Sequence, residues 1–161
     1  MLPRPRVLFV CLGNICRSPL AEAAFRAEAA ATGLDAEADS AGTAGYHVGS
    51  PPDRRAMAEA ARHGIDIAPY RGRQVSAGDF HAFTHVFALD GDNLADLRRI
   101  RPADGTAMLS LLMDVVPGRQ GQAVADPYYG DAADFAATWA QVSEAARMLV
   151  TRLGEGTLSP R

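Results

Sequence analysis

A cysteine and an arginine separated by five residues mark the segment with the clearest chemical content, Cys11-Leu12-Gly13-Asn14-Ile15-Cys16-Arg17-Ser18. A glycine-bearing loop that leads from a short apolar strand into a helix presents unpaired backbone N–H groups and the positive end of the helix dipole to an anion. The planar guanidinium of Arg17 can bind two oxygens of a phosphate at once. We therefore interpret residues 11–18 as a loop that binds a phosphate monoester.

Cys11 begins this loop and is the candidate nucleophile. A helix N-terminus and a nearby cation favour a thiolate over a thiol, and Ser18 can donate a further hydrogen bond to the sulfur. We expect the thiolate to attack phosphorus and form a cysteinyl-phosphate. Gly13 permits close approach of the backbone, and Asn14 tolerates the left-handed dihedral angles that a curved loop requires. A buried structural thiol is the usual alternative for an isolated cysteine, but these residue types at these offsets favour phosphate binding.

The elements that must position this loop alternate between strands and helices along the chain. Strands are predicted at residues 7–10, a short apolar run, and at residues 36–40, 85–89 and 108–112. Between and after them, helices are predicted at residues 19–32, 51–63, 92–99 and 135–153. This order predicts an α/β fold with a single domain in three layers, in which helices flank a central four-stranded parallel sheet. The phosphate-binding loop follows the first strand.

Capping residues set the expected helix boundaries. Ser18 is predicted to be the N-cap of the first helix, which ends at Gly33, and His63-Gly64 is predicted to end the second. The last helix shows an apolar stripe at alternating steps of four and three residues, with Gly154 beyond its end. That stripe comprises Phe135, Trp139, Val142, Ala146, Leu149 and Leu153.

Length and composition narrow the class of protein. Residues 1–161 are expected to form one domain, since domains usually have roughly 100 to 200 residues, with an ordered core over about 6–153 and a short tail after Gly154. A net charge of −3 argues against nucleic-acid binding. The apolar run after Arg6 is too short for a signal peptide or a membrane span, and two cysteines alone favour a reducing compartment. We expect a cytoplasmic protein with no membrane partner; export without a leader would leave no trace in the sequence.

Six blocks of sequence, spread over nearly all of the chain to about Leu153, resemble one known family and follow its order. The first is Val-Cys-Leu-Gly-Asn-Ile-Cys-Arg-Ser-Pro-Leu-Ala-Glu, residues 10–22. The others are Asp39-Ser40-Ala41-Gly42, Tyr46-His47-Val48-Gly49, Arg62-His63-Gly64-Ile65, Leu89-Asp90 with Asn93-Leu94, and Asp126-Pro127-Tyr128-Tyr129-Gly130. Together they resemble the low-molecular-weight protein tyrosine phosphatases. Residues 114–124 match this family least well.

The resemblance implies roles for residues near the end of the chain. It assigns Asp126 as the general acid that protonates the phenolate leaving group, and as the base for the hydrolytic water in a second step. It places Tyr128 and Tyr129 at the rim, where they would contact the substrate ring. An Asp-Pro pair alone is a common turn, but two adjacent tyrosines on a polar loop are typical of a binding surface.

The resemblance also implies a wall and a supporting layer. Tyr46 and His47 would form the wall facing the rim, together with Leu12, although core packing explains Tyr46 equally well. Ser40 and His63 would brace Asn14 and so hold the shape of the loop. For His63 the alternative is helix capping, because a basic residue before a C-terminal glycine also fits that position.

Two further features leave alternatives open. His81 and His85 are four residues apart, a spacing that can bind a metal on a helix, but His85 begins a predicted strand and no third ligand is near, so we predict no metal and no cofactor. Cys16 could form a reversible disulfide with Cys11 that protects the nucleophile from irreversible oxidation. Alternatively, Cys16 packs beneath the loop.

The resulting expectation is a phosphomonoester hydrolase that acts on phosphotyrosine in proteins and on small aryl phosphates, and that phosphate or vanadate inhibits. An autophosphorylated tyrosine kinase and a host protein are alternative targets. A thiol-dependent arsenate reductase would need further cysteines, which residues 85–92 lack. A phosphoarginine phosphatase would carry Thr in place of Ile15, whose bulk suits an aryl ester. A catalytically silent phosphate-binding module is disfavoured because no catalytic residue is missing.

Overall fold

A computed structural model describes residues 4–158 of the chain. Strands and helices alternate over most of its length, and a 3₁₀ helix (Leu112–Val115) follows the fourth strand. The strands are β1 (Arg6–Cys11), β2 (Glu37–Gly42), β3 (His85–Ala88) and β4 (Met108–Leu111). The helices are α1 (Arg17–Thr32), α2 (Arg54–Arg62), α3 (Asp79–Ala82), α4 (Gly91–Ile100) and α5 (Ala132–Glu155). Within residues 4–158, no helix combines the length and apolar character needed to cross a bilayer.

The four strands form one parallel sheet in the order β2-β1-β3-β4. This confirms the predicted α/β fold with a four-stranded parallel sheet flanked by helices. Cys11 lies opposite Gly42 of β2, and Val10 lies opposite Ala88 of β3. The carboxyl ends of these three strands therefore meet at one edge of the sheet, which is where open α/β sheets bind ligands.

β1 is buried on both faces, which explains its continuous apolar run. Phe9 belongs to a core cluster with residues of α1 and α5, including Phe25 and Phe135. Leu8 belongs to the cluster on the opposite face, which contains Phe80 of α3 and Leu97 of α4. Burial of each side chain of this size contributes roughly 1.5–3 kcal/mol to the stability of the fold. The strand, and with it Cys11 at its carboxyl end, is therefore held firmly in place.

Two predicted helix caps were wrong, and two further helix starts differ by three residues, since α2 begins at Arg54 instead of residue 51 and α5 at Ala132 instead of residue 135. α1 begins at Arg17, two residues earlier than a Ser18 N-cap requires, and its N-cap Cys16 forms no side-chain capping bond. The Ser18 hydroxyl instead contacts Cys11. At the other end of the chain, α5 continues through Gly154, and Gly156 takes the left-handed conformation that ends the helix, with φ of 74°. The apolar stripe stops at Leu153, which is why the sequence pointed to Gly154 as the end of the helix.

Other differences concern short elements. Neither the four-residue helix α3 nor the 3₁₀ helix was predicted, since such short segments carry too little periodicity. In the predicted tail, Leu158 is buried, with its carbonyl hydrogen bonded to the ring of His85. The last three residues of that tail lie outside the described residues.

Candidate active site

Asn14 shapes the loop between β1 and α1, called here the phosphate loop (residues 11–17). It has φ of 60°, the only positive φ at a non-glycine position within residues 4–158, which confirms the predicted left-handed conformation. Its Nδ2 donates to Ser18 Oγ (2.9 Å) and to Ser40 Oγ (3.0 Å), and its Oδ1 accepts from the backbone N–H of Arg73 (3.0 Å). Three hydrogen bonds of about 1 kcal/mol each outweigh a left-handed dihedral cost of roughly 1–2 kcal/mol, so the curve of the loop is fixed from behind.

The sulfur of Cys11 faces two donors. Asn14 N donates to Cys11 Sγ (3.3 Å), and Ser18 Oγ lies 3.0 Å from the same sulfur. Because Ser18 Oγ already accepts a hydrogen from the Asn14 amide, its own hydrogen is available to Sγ. Hydrogen bonds to the charged form of a group favour that form, so this arrangement suits a thiolate.

The buried carboxylate of Glu22 lies behind Ser40, on the side away from Asn14. Ser40 Oγ donates to Glu22 Oε1 (2.8 Å), and Glu22 Oε2 accepts from Arg26 Nε (2.8 Å). Burial raises the pKa of Glu22 above its ordinary value, against the lowering by its hydrogen bonds from Arg26 and Ser40. The hydrogen-bond chain from Arg26 through Ser40 to Asn14 therefore extends from the surface of α1 to the phosphate loop.

Arg17 is held at the mouth of the loop by an acidic partner that the sequence reasoning missed. Its side chain is only 4% exposed. Nη1 donates to Asp90 Oδ2 (2.7 Å) and to the carbonyl of Val124 (3.2 Å). Burial lowers the pKa of Arg17, but the hydrogen bond to Asp90 and the neighbouring charges raise it overall. The available signal was a carboxylate directly after a buried parallel strand, at the edge where the strand ends converge.

Asp126 lies on an exposed segment, called here the acid loop (residues 125–131). Its side chain is 48% exposed, with Oδ2 3.6 Å from Arg17 Nη2. Its Oδ1 accepts from the backbone N–H of Tyr128 (3.1 Å). The rings of Tyr128 and Tyr129 meet edge to face at 5.0 Å, and Tyr129 is 98% exposed. Both tyrosines are therefore available to a ligand.

The opposite side of the site is the wall loop (residues 45–50). Tyr46 is exposed, as is Leu12 of the phosphate loop, so core packing does not account for Tyr46. A Cβ on Gly13 would lie 3.2 Å from the imidazole carbon Cδ2 of His47. The close approach that glycine permits at this position is thus to the ring of His47.

These three loops enclose a cavity of about 260 Å³. Its lining residues are Cys11, Leu12, Gly13, Ile15, Cys16, Arg17, Tyr46, His47, Asp126, Tyr128 and Tyr129. Three other predicted site residues are buried and do not line the cavity: Asn14 within the phosphate loop, and Ser18 and Ser40 behind it. The structure therefore brings together all of the predicted site residues except His63.

His63 does not brace Asn14, so that prediction was wrong. Its Nε2 is hydrogen bonded to Glu59 Oε2 (2.8 Å), and its ring stacks on Trp139 with centroids 4.5 Å apart. Both the hydrogen bond and the stacking partner of the imidazole therefore lie on the helices α2 and α5, and not on the phosphate loop. Arg73 supplies, through its backbone N–H, the contact to Asn14 that the sequence reasoning assigned to His63.

The other polar candidates are engaged elsewhere. His81 lies 3.3 Å from Asp104, whereas His85 is buried and hydrogen bonded to Thr84 and to the carbonyl of Leu158. Over residues 4–158, no group of three or more Cys, His, Asp or Glu side chains is arranged to hold a metal ion. Cys11 and Cys16 are both free.

Fold and site together define a phosphate-binding α/β enzyme with a cysteine at the base of its cavity, and comparison with known proteins narrows this class. The family model for low molecular weight phosphotyrosine protein phosphatase matches residues 6–158. A curated phosphatase of that description from Schizosaccharomyces pombe is 40% identical over 140 residues, covering 85% of this chain and 89% of its own. The chain belongs to the low molecular weight phosphotyrosine protein phosphatase family. It is a low-molecular-weight protein-tyrosine-phosphatase.

Solved structures show the same fold. A protein tyrosine phosphatase from Entamoeba histolytica with Hepes in its active site superposes with a TM-score of 0.89 at 34% identity, covering 96% of this chain and 99% of its own. A Drosophila arginine phosphatase superposes with a TM-score of 0.85 at 32% identity, covering 91% of this chain and 96% of its own. The fold is thus shared by enzymes described as acting on two kinds of phosphorylated residue.

Proposed function

We propose that this tyrosine phosphatase works through a cysteinyl-phosphate formed on Cys11, with Arg17 binding the phosphate and Asp126 transferring protons. The observation that supports this most is the position of Cys11 Sγ, at the base of the cavity and within hydrogen-bonding distance of Ser18 and Asn14. Burial raises the pKa of Cys16 to about 12. Cys16 therefore stays a thiol at neutral pH, which leaves Cys11 as the sulfur available for attack.

In the first step the thiolate of Cys11 attacks phosphorus and an S–P bond forms. The bond between phosphorus and the phenolic oxygen breaks, and the proton of the Asp126 carboxyl passes to that oxygen, so that tyrosine leaves neutral. The backbone amides of the phosphate loop and the Arg17 guanidinium hold the equatorial oxygens during this transfer. Asp126 is left as a carboxylate.

In the second step water attacks the phosphorus of the cysteinyl-phosphate. Asp126 takes one proton from the water, a P–O bond forms and the S–P bond breaks, which returns the thiolate and releases inorganic phosphate. Ser18 stabilises the departing sulfur by its hydrogen bond. Acid quenching during turnover, followed by mass spectrometry, should find one phosphoryl group on Cys11. A fully active enzyme that never carries phosphate on this residue would contradict the mechanism.

The lining of the cavity supports an aryl ester as substrate. Ile15 is partly buried against the core and lines the cavity, and the rim carries exposed aromatic rings at Tyr46, Tyr128 and Tyr129. These groups can contact both faces of a phenyl ring, which a phosphotyrosine side chain and a small aryl phosphate share. Inorganic phosphate and vanadate should compete with such substrates because they bind to the same amides.

Phosphoarginine is the second candidate substrate, supported by the similarity to the Drosophila arginine phosphatase. One enzyme preparation should be assayed with a phosphotyrosine peptide, a phosphoarginine peptide, and arsenate plus a thiol. We expect kcat/KM to be highest for the phosphotyrosine peptide. If the side chain at position 15 selects the aryl ester, Ile15→Thr should lower the ratio of kcat/KM for the phosphotyrosine peptide to kcat/KM for the phosphoarginine peptide. A higher kcat/KM for phosphoarginine in the unmodified enzyme would reverse the assignment.

The protein partner is proposed to be a phosphotyrosine protein such as an autophosphorylated tyrosine kinase. The free cysteines and the need for a reduced nucleophile support action in a reducing compartment, the cytoplasm. Asp126→Ala should retain phosphoproteins because it binds the phosphate but transfers no proton. Pull-down with this variant, with Cys11→Ser as a second trap, should recover the same phosphoprotein, and cell fractionation should place enzyme and target in one compartment.

A further inference from the structure

One arginine next to the cavity takes no part in the proposed chemistry, although it contacts the acid loop and a residue that is bonded to the phosphate loop. Arg55 is the second residue of α2, and its guanidinium bonds at three nitrogens. Nε and Nη2 donate to the two carboxylate oxygens of Asp53, each at 3.0 Å, and Nη1 donates to the carbonyl of Gly130 at 2.9 Å. Its planar fork thus joins positions 53 and 130, which are far apart in sequence.

The Asp53 end of this link is attached to the phosphate loop. The backbone N–H of Asp53 donates to the carbonyl of Ile15 (2.9 Å), and its carboxylate caps α2 by accepting from the backbone N–H of Arg55 (2.8 Å). The Arg55 guanidinium keeps the pKa of Asp53 below its ordinary value through that ion pair. The Arg55 guanidinium is therefore bound to Asp53, a residue whose position is fixed by its hydrogen bond to the phosphate loop.

The Gly130 end is attached to the acid loop. Gly130 N donates to the carbonyl of Pro127 (2.8 Å), which closes a turn with the two tyrosines at its centre. The Arg55 guanidinium also lies over the ring of Phe135 at 4.7 Å and over the ring of Tyr128 at 5.7 Å. Cation–π contacts of this kind add roughly 0.5–1 kcal/mol each at exposed sites. Arg55 thus contacts the end of the acid loop and one of its rings.

The start of the acid loop has weaker anchoring. Asp126 lies 3.6 Å from Arg17 and is half exposed, so this ion pair cannot by itself fix the position of the carboxyl. From these contacts we infer that Arg55 is a positioning residue for the general acid: by holding Gly130 and Tyr128 to Asp53, it sets the place of Asp126 over the phosphate loop. It touches no reacting atom, and the inference depends on the proposed role of Asp126.

The predicted consequence depends on the leaving group. A misplaced acid slows a reaction whose leaving group needs a proton, and leaves reactions with good leaving groups nearly unchanged. Arg55→Gln should lower kcat/KM, which reports the steps up to release of the phenol, about 10-fold for phenyl phosphate and less than about 3-fold for p-nitrophenyl phosphate. Inhibition by inorganic phosphate should be unchanged. Arg55→Lys keeps the charge but cannot reach both partners at once, so it should show the same pattern to a smaller extent.

Arg54→Gln is the matched control, because this neighbouring side chain is exposed and forms no hydrogen bond or ion pair within residues 4–158. It should leave kcat/KM for both substrates unchanged. Equal losses on both substrates with Arg55→Gln, or a parallel loss of phosphate inhibition, would show that Arg55 supports the phosphate loop instead and would overturn the inference. If Arg55→Gln fails to fold, the same comparison is made with Arg55→Lys. Its loss of kcat/KM should be larger for phenyl phosphate than for p-nitrophenyl phosphate, and equal losses would overturn the inference.

A double variant separates failure of this inference from failure of the proposed function. If Arg55 acts through Asp126, adding Arg55→Gln to Asp126→Ala should lower kcat/KM for phenyl phosphate no further. An additional 10-fold loss would overturn the positioning role. If Asp126→Ala alone shows no dependence on the leaving group, the assignment of the acid fails, whatever Arg55 does.

Discussion

The phosphate loop and the acid loop differ in how they are held. In the phosphate loop, Asn14 is buried and hydrogen bonded to Ser18 and Ser40, which are buried behind the loop. In the acid loop, Asp126 is half exposed and Tyr129 almost fully exposed. Under the proposed mechanism, phosphate binding and nucleophilic attack therefore rest on groups that are fixed before the substrate arrives, whereas proton transfer and ring contact rest on a segment held by a few side-chain contacts. Substitutions in the two loops should have different kinetic signatures.

The largest effect is expected at Cys11. Cys11→Ser replaces the proposed sulfur nucleophile with a less nucleophilic hydroxyl, so turnover should fall by at least about 10⁴-fold, as for other nucleophile deletions. The amides and Arg17 remain, so calorimetry should still detect binding of inorganic phosphate. Turnover above this level in the variant would mean that the sulfur is not the nucleophile.

The next largest effect is expected at Asp126. Under the proposed mechanism Asp126→Ala removes the proton donor and should lower kcat/KM for phenyl phosphate, which reports the steps up to release of the phenol, about 10²-fold, within the usual range for general acid catalysis. For p-nitrophenyl phosphate the loss should be less than about 10-fold, because the leaving group needs no proton. Asp104→Ala is the control, since this exposed carboxylate pairs with His81 away from the site. Equal losses on the two substrates would remove Asp126 from its role.

At Asn14 the expected signature is the opposite. Asn14→Ala loses the hydrogen bonds to Ser18, Ser40 and the Arg73 amide, and should cost about 2–4 kcal/mol of stability. Phosphate inhibition should weaken, and kcat/KM should fall by a similar factor for both aryl phosphates. Chemical denaturation and inhibition assays measure these effects. Asn14→Gly restores the dihedral freedom, so it should be about 1 kcal/mol less destabilising; equal stability of the two variants would show that the dihedral angle matters little.

The smallest effect is expected at Gly72, where a substitution should disturb only the wall loop. A Cβ at this position would lie 2.3 Å from the carbonyl oxygen of His47, and Gly72 exchanges hydrogen bonds of 2.8 Å with Gly49 and Ser50. Gly72→Ala should displace the wall and raise KM for phosphotyrosine peptides roughly 3- to 10-fold, with kcat nearly unchanged. Gly78→Ala is the control, because its Cβ would have no neighbour closer than 3.9 Å. A change in phosphate inhibition with Gly72→Ala would mean that the two loops are not independent.

Patterns local in the chain accounted for much of this protein. The apolar run of β1 and the residues after it predicted the buried strand, the loop and the left-handed Asn14, since each depends on neighbours in sequence. The partners of those residues were less accessible. Asp90 and Arg55 contact positions about 75 residues away, and no periodicity connects such pairs. His63 was misplaced for the same reason, because its stacking partner Trp139 lies on another helix.

The sequence by itself determined the order of strands and helices and the turn of the chain from β1 through the loop into α1, because spacing and side-chain type are sufficient to predict a strand, a loop and a helix that follow one another. Only the tertiary structure decided which groups hold Arg17 and the acid loop in place, and which glycines admit a neighbouring backbone. Those contacts form when the sheet brings its carboxyl ends together, so they depend on distances in space that residue order does not record.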